Sequence, residues 1–190
     1  ADDDSVNRNE RRGYLQIISQ EAHRLASMAQ DVMDYARGSI TTRKKSVQLG
    51  EFLHRAEITL KPYFSAAGTR FTVLCESDEE IQIDPDRFLR VLVNIAANAA
   101  HVLGPDGRFE IRARRNGTNH IFELRDNGPG IPSSIHETLF EPFVTSGKSQ
   151  GTGLGMAISK SIVEAHGGSV RFETREGHGT VFIIEIPAAI

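Results

Sequence analysis

The chain has 190 residues, 39% of them hydrophobic and 25% charged, with a formal net charge of −3. That length allows one ordinary domain plus an appendage, and the apolar content is enough for a real core. The charge balance gives no general attraction to nucleic acid, and the single cysteine, Cys75, excludes an internal disulfide and a cysteine-based zinc site. In the strand-like run RFTVLCE this thiol reads as buried. No apolar run approaches the length of a membrane span, and no signal-peptide pattern is present. These features fit the cytosol, although the abrupt opening ADDDSVNRNERR reads as that of a fragment whose full-length parent could be membrane-anchored.

Residues 7–38 lack proline and predict one long helix ending near Gly38. Tyr14, Ile18, Glu21, Leu25, Met28, Val32 and Tyr35 follow the 3-4 alternation of a coiled-coil or bundle seam, widened by Leu15, Ala22, Ala29 and Ala36. So broad a stripe needs a partner, either another helix or the helix's own domain. The polar stretch 39–48 breaks the pattern, which places a boundary between a segment 1–40 and a domain 41–190.

Within the domain, residues 49–66 predict a helix with Phe52, Leu53, Ala56 and Leu60 on one face, bent or interrupted at Pro62. Strand signals follow at 70–76 and 80–83. Asp84-Pro85 then supplies a cap and a first-turn proline for a helix to about Leu103. Along it Arg87, Val91, Asn94, Asn98 and His101 form one stripe, and Phe88, Leu92, Ile95, Ala99 and Val102 form another that reads as core. Alternating runs at 108–115 and 119–126 around Asn116-Gly117 predict a hairpin. A helix over 153–166, a turn at Gly167-Gly168 and strands at 169–175 and 179–186 complete the pattern. The expected architecture is an α/β sandwich, a mixed sheet covered on one face by the helices at 49–66, 84–103 and 153–166.

Two glycine clusters carry the chemical signal. The first, DNGPGI at 126–131, puts a carboxylate at a strand end, followed by residues of little bulk, which suits a flat hydrogen-bonding ligand such as a purine. The second, Gly151-Thr152-Gly153-Leu154-Gly155, runs into an apolar-periodic helix, where bare N–H groups and the helix dipole favour a polyanion. Two carboxamides at i and i+4, Asn94 and Asn98, offer hard oxygens suited to magnesium, which takes much of its shell from water and phosphates. Together they predict a nucleotide with its base at one cluster and its phosphates at the other.

Asn94-x-x-x-Asn98-Ala99, DNGPGI, Phe140-Glu141-Pro142-Phe143 and GTGLGM stand in the order and spacing of the sensor histidine kinases, which the chain resembles over most of its length. These belong to the wider group of ATPases that includes the gyrase, Hsp90 and MutL types. The resemblance implies a Bergerat-type two-layer α/β sandwich, three helices on one face of a mixed sheet, preceded by a long N-terminal helix. It also implies ATP and Mg²⁺ as cofactors.

By the same resemblance, Asn98 is the magnesium ligand and Asn94 a neighbouring metal or water contact, both with a catalytic role. Asp126 accepts the adenine amino group, with Gly128, Gly130 and Ile131 around the base, and Thr180 supports Asp126. Phe140 and Phe143 open a lid over residues 144–152, in which Lys148 is either a phosphate contact or a solvated surface lysine. At least one of the two aromatics reads as core. Gly151, Thr152, Gly153, Leu154 and Gly155 approach the phosphates. His101 stands where many relatives have a phosphate-contacting lysine, so phosphate contact and helix-surface decoration both stay open. Hydrolysing members of the wider group carry Glu where Asn94 stands, and Asn cannot act as a base near neutrality, which favours transfer to a partner.

The segment EAHRLASMAQDVMDYAR resembles the second helix of the family's dimerisation and phosphoacceptor hairpin, implying a homodimer through the N-terminal helix and, through a phosphohistidine, a response regulator as partner. None of the seven histidines is followed by the acid and later proline of an acceptor helix, so the acceptor is expected upstream. The other readings are a serine kinase of the anti-sigma type, against which the N-terminal helix speaks, and a degenerate nucleotide-sensing scaffold. His120, His136, His166 and His178 lack metal-ligand spacing and read as surface or turn residues.

Overall fold

The structure is a computed structural model that describes residues 14, 32–33, 40–65, 67–145 and 152–188. The chain divides into two units, 1–38 and 39–190. In the first, Tyr14, Val32 and Met33 are helical and exposed, while the remaining seam positions expected over 7–38, with Glu21 and Gly38, lie outside the described residues.

The second unit runs β1 (Lys45–Gln48), α1 (Leu49–Ser65), β2 (Arg70–Cys75), β3 (Glu80–Ile83), α2 (Pro85–Val102), β4 (Arg108–Asn116), β5 (Asn119–Asp126), a short 3₁₀ turn (Ser133–Ile135), α3 (Gly155–Ala165), β6 (Ser169–Arg175) and β7 (Gly179–Pro187). Strands β2-β4-β5-β7-β6 form one sheet in that order, parallel only between β2 and β4, and β1 pairs antiparallel with β3 in a separate ribbon. The mixed sheet and three helices are those the pattern predicts.

Period-two alternation sorts the sheet into two faces. Phe109, Ile111 and Ala113 on β4, Phe122 and Leu124 on β5, and Phe182, Ile184 and Ile186 on β7 are buried and in register across one face. The helices cover that face with Leu49, Phe52, Leu53, Ala56, Leu60 and Phe64 from α1, Phe88, Leu92 and Ile95 from α2, and Ile158, Ile162 and Val163 from α3. Phe64 stacks on Phe71 and Phe109, and Phe88 meets Phe122 edge-on. The opposite face is laced by exposed and half-buried ion pairs such as Arg112–Glu76 and Arg114–Glu123.

The same register carries the site. Continuing the inner stripe of β5 two residues past Leu124 leads to Asp126, which lies in a row across the sheet with Phe109, Thr180 and Thr174. The stripe thus leaves the apolar core and ends in a carboxylate.

Asp84 caps α2: its side chain accepts from the N–H of Arg87, and Pro85 opens the helix. The same carboxylate accepts from the N–H of Arg43 in the segment ahead of β1. Burial works against its charge, but the N–H groups of Arg43 and Arg87 and the nearby Arg87 guanidinium hold the carboxyl below its ordinary range. Asp84 N–H donates to His166 Nε2 at 2.9 Å, and His166 Nδ1 lies 2.7 Å from Ile162 O. His166 is therefore neutral with its proton on Nδ1, and joins the C-terminus of α3 to the start of α2.

Several expectations need correction. His166 and His120 are buried, 3% and 1% exposed, where surface positions were expected. His166 is a helix C-cap that its apolar run does not mark, whereas His120, the second residue of β5, alternates with Phe122 and Leu124 and so falls on the inner stripe of the strand. His136 is half-buried, and His178 is an exposed turn residue as read. Helix α1 continues through Pro62 without interruption, because Pro62 lies on its exposed face, where the carbonyl that loses a partner can meet water. Cys75 is exposed rather than buried, because it ends an edge strand. Strand β1 falls in the polar stretch that breaks the helical pattern; with Val47 as its one apolar residue, it is made by backbone pairing with β3 and not by its own pattern. Val102, assigned to the core stripe, is 52% exposed on the last turn of α2, where Ala99 and Leu103 take the core-facing positions.

Candidate nucleotide site

Asp126 and the loop behind it form one end of the site. Burial pushes the Asp126 carboxyl above the usual range, while the backbone N–H groups of Gly128 and Thr180 pull it down. Gly128 N–H donates to Asp126 Oδ1 at 2.8 Å, an Asx turn that fixes the carboxylate's orientation. A Cβ on Gly128 would stand 3.4 Å from Val102, so the end of α2 and this loop face each other beside Asp126.

The loop is fastened on both flanks. Arg108 N–H donates to Asn127 Oδ1, and Asn127 Nδ2 reaches Asp106 O. Toward the β6–β7 turn, Gly177 N–H donates to Pro129 O at 2.8 Å and Ile131 N–H to Thr174 Oγ1 at 3.0 Å. Gly130 lies between these bonds at φ +80°, where a Cβ would come within 2.7 Å of Arg175 O. Only glycine fits both the backbone and the gap. Thr180 is buried at 4% exposure; its backbone faces Asp126 while its hydroxyl lies 3.0 Å from Thr174 Oγ1. Support for Asp126 thus comes from the Thr180 main chain.

The other end lies between α2 and α3. Asn94 Nδ2 donates to Gly155 O at 3.0 Å and to Ser159 Oγ at 3.1 Å. With both amide protons committed, Oδ1 remains without a protein donor among the described residues. Asn98, one turn on, and His101 are exposed and make no side-chain hydrogen bond among the described residues. Leu154 is buried and caps α3 without a side-chain bond, so the first-turn N–H groups of that helix stay open to a ligand. Thr152 Oγ1 accepts from Leu154 N–H at 3.3 Å. Gly153 (φ +69°) lies so close to Phe143 that a Cβ would meet its backbone at 2.6 Å, and Phe143 N–H donates to Gly153 O. This bond joins the two described ends of the lid. Lys148 and Gly151 lie outside the described residues.

Of the two lid aromatics, Phe140 packs against the core beside Phe172, and Phe143 is 65% exposed at φ +67°. From Asn94 to Val102, eight positions on one helix, the two ends are separated by about 12 Å, the scale of one nucleotide. Sequence reasoning missed Val102, Thr174, His136 and Ser159. The first was hidden in an apolar stripe, and the others are single polar residues whose role depends on what the fold brings beside them.

No group of three or more His, Cys, Asp or Glu among the described residues could hold a metal. The free carboxamide oxygens of Asn94 and Asn98 nevertheless fit a hard ion that draws its remaining ligands from phosphate and water.

The model of the histidine kinase-, DNA gyrase B-, and HSP90-like ATPase family matches residues 83–190. The sensor histidine kinase ZraS of Salmonella typhimurium is 34% identical over 175 residues, 90% of this chain but 37% of that protein. The chain therefore spans little more than a third of this curated relative. The catalytic domain of the histidine kinase ThkA superposes with a TM-score of 0.69 at 31% identity, over 77% of this chain and 96% of that one. Histidine kinase ThkA in complex with the response regulator protein TrrA superposes with a TM-score of 0.75 at 26% identity, over 100% of this chain and 53% of that one. With the family model covering the site and more than half of the sequence, this chain belongs to the histidine kinase-, DNA gyrase B-, and HSP90-like ATPases.

Proposed function

We propose that the chain is the ATP-binding catalytic part of a sensor histidine kinase, which holds Mg·ATP and passes its γ-phosphoryl group to a histidine outside this sequence. The observation that carries the choice of transfer over hydrolysis is Asn94, whose amide nitrogen is committed to Gly155 O and Ser159 Oγ. A carboxamide in this place has no basic group to activate water.

In this reading Asp126 accepts the adenine amino proton, with Gly128, Gly130, Ile131 and Val102 around the base. Thr180 supports Asp126 through its main chain. Asn98, with Asn94 beside it, would hold magnesium, whose charge would offset that of the phosphates. The phosphates rest against Gly151, Thr152, Gly153, Leu154 and the N-terminus of α3, with His101 and Lys148 as further contacts and Phe143 at the lid's edge. Phosphoryl transfer of this kind is a matter of positioning and charge stabilisation, which is what such a site supplies.

The acceptor is none of the seven histidines here, since none has an acceptor helix's sequence around it. A response regulator is the onward partner, as the ThkA–TrrA complex supports by analogy. The test is labelled ATP with the chain alone and with a separate acceptor-helix hairpin. Acid-labile, base-stable label on the hairpin only is the expected result; label on His23 or His54, or rapid phosphate release without transfer, would contradict the reading. We further propose a homodimer through residues 7–38. Sedimentation should then give a dimer at tens of micromolar, on the order expected for a handful of buried apolar side chains, which Leu25→Asp converts to monomer. A monomer at millimolar concentration would contradict it.

A further inference from the structure

Ile131 ends the loop that follows Asp126, and both polar groups of its backbone are held by side chains outside the glycine-rich motifs. Its N–H donates to Thr174 Oγ1 at 3.0 Å, and its carbonyl lies 2.8 Å from His136 Nε2. A carbonyl can only accept, so His136 carries a proton on Nε2. The Thr174 hydroxyl donates to Gly179 O at 3.1 Å and lies 3.0 Å from Thr180 Oγ1. With its one proton given to Gly179, Thr174 accepts from both Ile131 N–H and the Thr180 hydroxyl, which fills its capacity.

Strand β6 supplies both halves of this clasp. Thr174 bonds Ile131 directly. Phe172, two residues back on the same face, seats the His136 ring edge-on at a centroid distance of 5.5 Å and 78°. The same strand row leads through Thr180 to Asp126. One hydroxyl thus sets the separation between the loop and the carboxylate.

We propose that Thr174 is a positioning residue for the base pocket, acting with His136 on the backbone of Ile131 and through it on Gly128 and Gly130. This rests on the reading of Asp126 as the adenine acceptor. Neither Thr174 nor His136 need touch the nucleotide, and the hydrogen bonds of their side chains go to Ile131, Gly179 and Thr180 and not to Asn94, Asn98 or α3. Its loss should therefore weaken ATP and ADP by the same factor and leave the magnesium dependence of ATP binding unchanged.

The test is calorimetric titration of ATP and ADP, with and without Mg²⁺, into wild type, Thr174→Val, Thr174→Ser, His136→Phe and Asp126→Asn, with thermal melts of each. Valine keeps the shape of threonine and leaves Ile131 N–H without its acceptor, so Kd should rise roughly five- to tenfold for both nucleotides. Serine should bind within about twofold of wild type, since it keeps the hydroxyl. His136→Phe keeps the contact with Phe172 and loses the donor, and should shift both affinities in the same direction. Wild-type affinity in Thr174→Val, or in His136→Phe if the valine variant does not fold, overturns the proposal, as does a serine variant as weak as the valine one. If Asp126→Asn alone weakens binding, the base pocket stands and the clasp falls. If wild type binds no ATP, the functional reading falls first.

Discussion

At the base end of the site, Asp126, Gly128, Pro129 and Ile131 are each engaged by protein groups; at the phosphate end, Asn98 and His101 make no side-chain hydrogen bond among the described residues. On the proposed reading, the difference follows from what each end receives. A flat neutral base offers few contacts, so selectivity requires a carboxylate whose position is set before binding, and the loop and the β6–β7 turn set it. Magnesium and a triphosphate bring their own charge and water, so groups that face them lose less by being left open. On this reading the protein orders the base end throughout, while at the phosphate end it anchors Asn94 and leaves Asn98 and His101 to the ligand.

The largest expected effect breaks the ligand-ordered end. Asn98→Ala deletes a carboxamide oxygen and should reduce transfer to a supplied acceptor by on the order of a hundredfold or more, as loss of one charge-stabilising contact does elsewhere. Nucleotide affinity should respond less to added magnesium. Since Asn98 is exposed and its side chain makes no hydrogen bond among the described residues, the melting temperature should barely move. An unchanged magnesium dependence would make Asn98 a surface residue without that role.

The smaller effect concerns the frame behind both ends, and it is a matter of pH. Burial lowers the pKa of His120 and His166 below the ordinary 6.5. The groups facing His166 are Asp84, Lys44 and Arg87, and those facing His120 are Glu79 and Arg115. Between pH 6.5 and the lowered values, the unfolded chain takes up protons that the folded chain refuses, so stability falls as pH falls through that window. Denaturant midpoints at pH 7.5 and pH 5.5 should show the loss. His120 Nδ1 is buried without a hydrogen-bond partner among the described residues, so His120→Phe should flatten part of the slope at little cost near neutrality. An equal slope in that variant would acquit His120.

Much of this was legible beforehand, for a physical reason that differs by element. Helix α2 is written locally, with Asp84-Pro85 at its start and an apolar stripe along it, so its place and its two asparagines could be read directly. Strands β4 and β5 alternate cleanly because one face is buried, and that alternation put Asp126 at a strand end. Strand β1 and the burial of His166 could not be read, because each exists through a partner distant in sequence, 32 to 82 positions away. The same holds for Thr174. As one threonine in an exposed-looking strand it carries no signal until Ile131, Gly179 and Thr180 are placed around it.

The measurement that bears most directly on the contrast between the ends is calorimetric titration of ATP, GTP and adenosine into the wild-type chain and Asp126→Asn, with and without magnesium. If Asp126 meets the base through a charge-assisted hydrogen bond, as proposed, ATP should bind at least about tenfold more tightly than GTP. Asp126→Asn should remove that preference. Its melting temperature should hold or rise, since burial raises the Asp126 pKa and the ionised form costs stability as pH climbs through the raised value. Magnesium should strengthen ATP binding and leave adenosine unchanged. Equal affinity for ATP and GTP in the wild type, or an adenosine affinity that follows magnesium, would contradict the account.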